Sequence, residues 1–132
     1  MEKGIICIIE DNTSIAKLFA TVLKKNGYNA VEFYDAKSAL TWLESNIPVC
    51  ILTDVLLPDI NGIELLNKIR SNKNLVNVPV VAITGLAQPG DEQKLLNSGF
   101  DGYMSKPINI PSFVSDIEKI IENKRKQYYE QN

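Results

Sequence analysis

Five polar side chains carry most of the chemistry open to this chain: Glu10, Asp11, Asp54, Thr84 and Lys106. Glu10 and Asp11 follow the apolar run 5–9, Asp54 follows 49–53, Thr84 follows 79–83, and Lys106 lies just past 101–104. If those runs are strands of an open parallel sheet, all five groups reach its carboxyl edge, where such sheets hold their ligands. Carboxylates gathered from separate segments crowd one another. At about 5 Å in an effective dielectric near 20, each pair repels by roughly 3 kcal/mol, so a positive charge must offset them. Hard oxygen donors favour Mg²⁺, which keeps several waters and takes one or two carboxylates plus a phosphate oxygen. Lys106 adds a permanent cation, and Thr84 adds a hydroxyl that can donate to a phosphoryl oxygen. These parts suit phosphoryl transfer, where catalysis is mostly positioning and charge neutralisation, with Asp54 as the nucleophile.

Each residue taken singly also has an ordinary reading. An acid at a strand end often caps the following helix, as Asp11 or Asn12 could here, and a threonine at a strand end is common. The joint arrangement is specific where its members are not. Histidine is absent, which removes imidazole as general base, metal ligand and internal phosphate carrier. Acid, metal and phosphate chemistry therefore falls to the carboxylates.

The elements that position these groups follow from hydrophobic period. Short apolar runs alternate with stretches of helical period, the pattern of a parallel sheet covered by helices. Residues 5–9 read as the first strand, followed by a helix over 13–26 with Ile15, Leu18, Phe19, Val22 and Leu23 on one stripe and Gly27 as its stop. Residues 29–33 read as the second strand. Asp35 can then cap a helix built on Ala36, Ala39, Leu40 and Leu43, which ends before Pro48. The third strand is 49–53. After the loop LLPDIN, Asn61 can cap a helix with Glu64 three residues on, an arrangement similar to a capping box. Residues 79–83 form the fourth strand, Pro89 suits the first turn of a helix that Gly99 ends, and 101–104 form a short fifth strand. Pro111 can open a last helix carrying Phe113, Val114, Ile117, Ile120 and Ile121. The period fades in KRKQYYEQN, so 124–132 reads as a helix end or tail.

Length and composition agree with this plan. With 132 residues, 45% of them hydrophobic and 23% charged, the chain suits one compact domain and leaves little room for a second. The formal net charge of −2 lacks the basic footprint of a nucleic-acid binder. Cys7 and Cys50 lie in apolar runs without CxxC spacing and read as buried reduced thiols. The apolar start is too short for a signal peptide or membrane span, which predicts a cytoplasmic protein without membrane insertion.

The ordered motifs IIEDN, LTDVLLPDING, VAITG and YMSKP closely resemble the receiver domain of bacterial two-component response regulators over roughly residues 4–123. The resemblance implies a doubly wound α/β fold of the flavodoxin-like (βα)5 kind, five parallel strands in the order 2-1-3-4-5. It makes Asp54 the phosphoacceptor and Asp11 a direct Mg²⁺ ligand. Glu10 becomes a second acid acting mainly through water, and the Leu56 carbonyl a further metal donor. Thr84 resembles the switch hydroxyl, Tyr103 its paired aromatic and Lys106 the phosphate-binding lysine, and Pro107 is expected to follow a cis bond. The implied partners are a histidine kinase or histidine phosphotransfer protein as donor, and a downstream protein reached through the fourth helix, fifth strand and fifth helix. The protein is expected to be a signalling phosphoacceptor rather than an enzyme with a separate substrate, and a monomer or a phosphorylation-dependent dimer. Leucines at 56 and 86 stand where fast-dephosphorylating members tend to carry polar groups. Apolar side chains cannot orient an attacking water, which predicts a slowly hydrolysed phosphate.

Other classes fit less well. A phosphatase resembling the haloacid dehalogenases needs a second acid two residues after the nucleophile, where this chain has Leu56. No GxGxxG or GxxxxGK[ST] follows any strand, which disfavours a nucleotide site. A receiver that serves only as an unphosphorylated interaction module is the remaining alternative, as is a receiver belonging to a longer regulator or hybrid kinase.

Overall fold

The computed structural model describes residues 3–85 and 88–131. Leu86, one of the two leucines singled out above, lies outside the described residues. Five strands alternate with five helices: β1 (Ile5–Ile9), α1 (Thr13–Lys25), β2 (Asn29–Phe33), α2 (Ala36–Leu43), β3 (Cys50–Asp54), α3 (Gly62–Arg70), β4 (Val80–Thr84), α4 (Asp91–Asn97), β5 (Gly102–Ser105) and α5 (Ile110–Gln131). All neighbouring strands pair in parallel, in the order β2-β1-β3-β4-β5. This is the expected doubly wound sheet.

Side chains alternate across the strands and feed a core on each face. Cys7, Ile9, Ile51, Val80 and Ala82 pack with α2, α3 and α4, while Ile6, Ile8, Cys50, Leu52, Val81 and Ile83 pack with α1 and α5. Phe19 of α1 stacks on Phe113 of α5, ring centroids 5.0 Å apart. With both faces covered, the central strands read as continuous apolar runs, and the polar groups have only the strand ends left to occupy.

Three strands begin one residue later than their apolar runs. Pro79 has no N–H to give the ladder, so β4 starts at Val80, and β5 starts after Asp101, whose carboxylate accepts the Val80 N–H at 2.9 Å. β3 starts at Cys50 and carries Asp54 as its last residue. The fourth helix differs from expectation as well. Gly90 has φ +91, a left-handed conformation incompatible with a helical turn, so α4 begins at Asp91 and Pro89 lies before it. A 3-10 turn at Lys73–Leu75 was not apparent from the sequence. Residues 124–131 continue α5 as helix, with Lys124 Nζ 2.9 Å from Asp101 Oδ1. No helix among the described residues is long and apolar enough to cross a membrane.

Candidate functional site

The carboxyl edge of the sheet brings the acids together because β1 and β3 are hydrogen-bonded neighbours in the middle of it. Glu10 follows β1 directly, and its N–H is fixed to the Phe33 carbonyl at 2.9 Å. Its side chain is almost fully buried, and Oε2 accepts the Asn12 N–H at 3.1 Å. Asp11 is exposed. Asn12, not Asp11, caps α1, accepting the Ile15 N–H at 3.1 Å. Asp54 is buried at the end of β3, and its Oδ1 accepts the Leu56 N–H at 3.0 Å. One carboxylate oxygen from each of Glu10, Asp11 and Asp54 lies within 4.8 Å of the other two.

Lys106 answers this charge from the end of β5. Its ammonium donates to Asp54 Oδ2 at 2.8 Å and lies 2.5 Å from Glu10 Oε1. Both contacts are between opposite charges, and Lys106 is the partner of the buried Glu10 Oε1. Burial, with the charge of Asp54, holds the Glu10 carboxyl above the usual glutamate range, against the downward pull of Lys106 and the Asn12 N–H. For Lys106, burial disfavours the ammonium, but its bonds to Asp54 and Glu10 outweigh that and hold it above the ordinary lysine value.

Thr84 is buried at the end of β4, next to the strand that carries Asp54. The Thr84 carbonyl accepts the Lys106 N–H at 2.9 Å, which ties the two segments together. Tyr103 lies half-buried in β5 opposite Ala82, packed on the α2–α4 side of the core. The Lys106–Pro107 peptide is cis. Leu56 presents an exposed side chain beside a cleft of about 430 Å³ lined by Val55, Gly62, Thr84 and Leu95.

The loop from Asp54 to α3 is closed tightly. The Gly62 N–H reaches the Val55 carbonyl at 2.8 Å, and a Cβ on Gly62 would stand 2.7 Å from Val55 Cα, so only glycine allows this approach. Asn61 caps α3 through the Glu64 N–H at 2.9 Å. Asp59, to which the sequence reading gave no role, accepts the Ala36 N–H at 3.0 Å and the Lys37 N–H at 2.9 Å. Nothing in hydrophobic period marks such a residue; only its place in the acid-bearing loop could have drawn attention to it. Asp101 was also missed. Its Oδ2 takes Arg70 NH2 at 2.7 Å, joining α3 to the start of β5.

The donor set fits a hard divalent ion. It offers oxygens only, and exposed Asp11 leaves the cluster open to water on one side. Fold and edge together define a doubly wound α/β domain with an acidic crevice at its carboxyl edge and a lysine bound into it. Within that class the chain belongs to the response regulator receiver domain family, whose pattern matches residues 6–118.

Individual relatives agree. The polar-differentiation response regulator DivK of Brucella ovis is 32% identical over 116 residues, covering 88% of this chain and 94% of that protein. The receiver domain of the sensor histidine kinase PA1611 from Pseudomonas aeruginosa PAO1 superposes with a TM-score of 0.81 at 27% identity, covering 90% of this chain and 98% of that one. It was solved with a magnesium ion coordinated in its active-site cleft. The chemotaxis response regulator CheY4 of Vibrio cholerae shares the fold, with a TM-score of 0.83 at 21% identity over 89% of this chain and 98% of that one. The chain is a receiver domain of the two-component response regulators.

Proposed function

We propose that Asp54 is the phosphoacceptor of this receiver domain, that Glu10, Asp11, Asp54 and the Leu56 carbonyl hold Mg²⁺, and that Thr84, Tyr103 and Lys106 convert phosphorylation into a change at the protein surface. The observation that carries this reading is the cluster itself: three carboxylate oxygens within 4.8 Å, with the Lys106 ammonium 2.8 Å from Asp54. A cluster of like charge on the buried end of a sheet costs stability, and a site for a cation and a phosphoryl group accounts for it.

In this reading an Asp54 carboxylate oxygen attacks the phosphorus of a phosphohistidine on a histidine kinase or phosphotransfer protein. An O–P bond forms, the N–P bond breaks, and the imidazole leaves. Bound Mg²⁺ would supply a fixed double positive charge against the phosphoryl oxygens. The Leu56 N–H and the Lys106 ammonium hold the two Asp54 oxygens in place before attack, so little reorganisation is needed. Afterwards the phosphoryl oxygens compete with Glu10 for Lys106 and engage the Thr84 hydroxyl. Tyr103, two strands from Asp54 and three residues before Lys106, then repacks and biases the surface of α4, β5 and α5 towards a downstream protein. Phosphate shifts this equilibrium only by its differential contacts in the two states. The domain acts as a signalling phosphoacceptor that catalyses its own phosphorylation and dephosphorylation.

Incubation with a small acyl phosphate tests the assignment. The parent protein gains one phosphoryl group by intact mass when Mg²⁺ is present and none in EDTA, and Asp54→Asn gains none. Labelling of Asp54→Asn at the parent rate, or labelling indifferent to EDTA, refutes it.

A further inference from the structure

We infer that Asp59 is a positioning residue of the acid site, a clasp that fastens the loop after Asp54 to the N-terminus of α2 and so holds the Leu56 backbone in place for the cation. This inference rests on the proposed reading of the site. A helix begins with N–H groups that have no partner within it. In α2 two carboxylates divide them: Asp35, the cap residue itself, takes the Ser38 N–H at 2.7 Å, while Asp59 takes the Ala36 and Lys37 N–H groups from another segment. The same two bonds are therefore helix capping seen from α2 and loop anchoring seen from the acid site.

The loop has other ties, but none at this place. Near Asp54 it is held by the Leu56 N–H on Asp54 Oδ1 and by the Gly62 N–H on the Val55 carbonyl. Leu56 and Asn61 bridge across its neck. Leu57 and Ile60 pack against the core, a non-directional contact. Asp59 supplies the directional contact. Two N–H groups aimed at its two oxygens set the loop's angle to the sheet, and with it the direction of the Leu56 peptide. The first-turn amides also hold the Asp59 carboxyl below the usual aspartate range, led by the Ala36 N–H, as expected for a carboxylate fixed at a helix N-terminus.

Two substitutions separate the roles. Asp35→Ala and Asp59→Ala both uncap α2, but only Asp59→Ala releases the loop. Mg²⁺ alone is the probe, titrated into each protein by calorimetry, with thermal melts run in parallel. Asp59→Ala weakens Mg²⁺ binding by about 10-fold, the lower end of what outer partners of a metal site contribute. Asp35→Ala lowers the melting temperature comparably and leaves Mg²⁺ affinity within about 2-fold of the parent. In ¹⁵N spectra of the parent, the Ala36 and Lys37 amides shift on Mg²⁺ addition, and in Asp59→Asn these shifts are reduced. Equal loss of Mg²⁺ affinity in Asp35→Ala and Asp59→Ala, or no loss in either, overturns the clasp. A parent protein that takes up no Mg²⁺ overturns the proposed site and the clasp together, whereas a binding parent with an unaltered Asp59→Ala overturns the clasp alone.

Discussion

Asp11→Asn should make the metal-free protein more stable and the Mg²⁺-loaded protein less stable than the parent. Asp11 is exposed, forms no ion pair among the described residues, and stands within 4.8 Å of carboxylate oxygens on both Glu10 and Asp54. Its charge therefore contributes two repulsions, offset in part by Lys106, which lies one contact beyond both acids. Taking the full dielectric of water, as exposure demands, each repelling pair at that distance costs at least about 0.9 kcal/mol, together about 1.7, and the lysine returns roughly 0.6. Removing an acid just before α1 forfeits roughly 0.5 kcal/mol of favourable interaction with the helix N-terminus. The net gain is about 0.6 kcal/mol, or about 2 °C for a domain of this size. With Mg²⁺ at 100 times the parent's Kd, the parent gains about 2.7 kcal/mol by linkage. A variant whose affinity falls about 100-fold gains only about 0.4, so the order of stability inverts, with the parent ahead by about 1.7 kcal/mol. Thermal melts in EDTA and in Mg²⁺, at low and high salt, read both signs. An Asn variant that melts below the parent in EDTA, or gains as much as the parent from Mg²⁺, refutes the electrostatic account of the cluster.

Other measurements probe the rest of the molecule. The aspartyl phosphate of the parent should decay slowly, and Leu86→Glu should speed its loss about 10-fold or more by offering a group that can orient water; an equal rate, followed by loss of mass label, counts against this. Burial pushes the Cys7 and Cys50 thiols well above their ordinary value. The folded state then keeps protons that the unfolded chain releases above about pH 8.5, so stability present below that pH falls by about 1.4 kcal/mol per pH unit for each thiol as pH rises. Urea melts from pH 8 to 10 should show this slope, roughly halved in Cys50→Ala. Tyr28 adds to the loss only at higher pH, since burial and its hydrogen bond to Glu118 push its hydroxyl up to about 12. Gly62→Ala should cost about 2 kcal/mol, because its Cβ would meet backbone, whereas Gly85→Ala, with nothing within 4 Å, should change stability by less than about 0.5 kcal/mol in the same melts.

The order of elements was legible because the central strands β1, β3 and β4 are runs buried on two faces, bounded by polar groups or proline. β1 and β2 follow their apolar runs to the residue. β3, β4 and β5 are displaced by one, since register depends on where ladder donors exist, and Pro79 supplies none. The start of α4 was misplaced because Pro89 is a good first-turn residue locally, while the left-handed Gly90 that ends the loop is a matter of three-dimensional closure. The extension of α5 to Gln131 shows no apolar period because the helix has little core to cover there; the Lys124–Asp101 contact that it makes is polar and distant in sequence. The gathering of the acids was readable for the opposite reason, since chain direction alone sends the residue after every parallel strand to one edge. Asp59 and Asp101 stayed hidden because their partners are backbone amides and side chains from other segments, which no spacing rule can announce.

One ammonium shared by two carboxylates is the feature from which switching follows in the proposed reading. Lys106 lies 2.5 Å from Glu10 and 2.8 Å from Asp54, and its backbone is tied to Thr84 and follows the strand of Tyr103. A phosphoryl group on Asp54 brings about two negative charges to this point, more than Glu10 can offer. The ammonium is then drawn from Glu10 towards the phosphoryl oxygens, which carry the larger charge. Glu10, already held above its usual range by burial, is left needing a cation or a proton. A bound Mg²⁺ would meet that need while the phosphate stays, so binding of ion and phosphate should be mutually reinforcing. The matching observation is a Lys106 Nζ resonance whose shift changes on phosphorylation in parent protein and not in Asp54→Asn. A shift identical in the two proteins would show that the lysine does not read the phosphate.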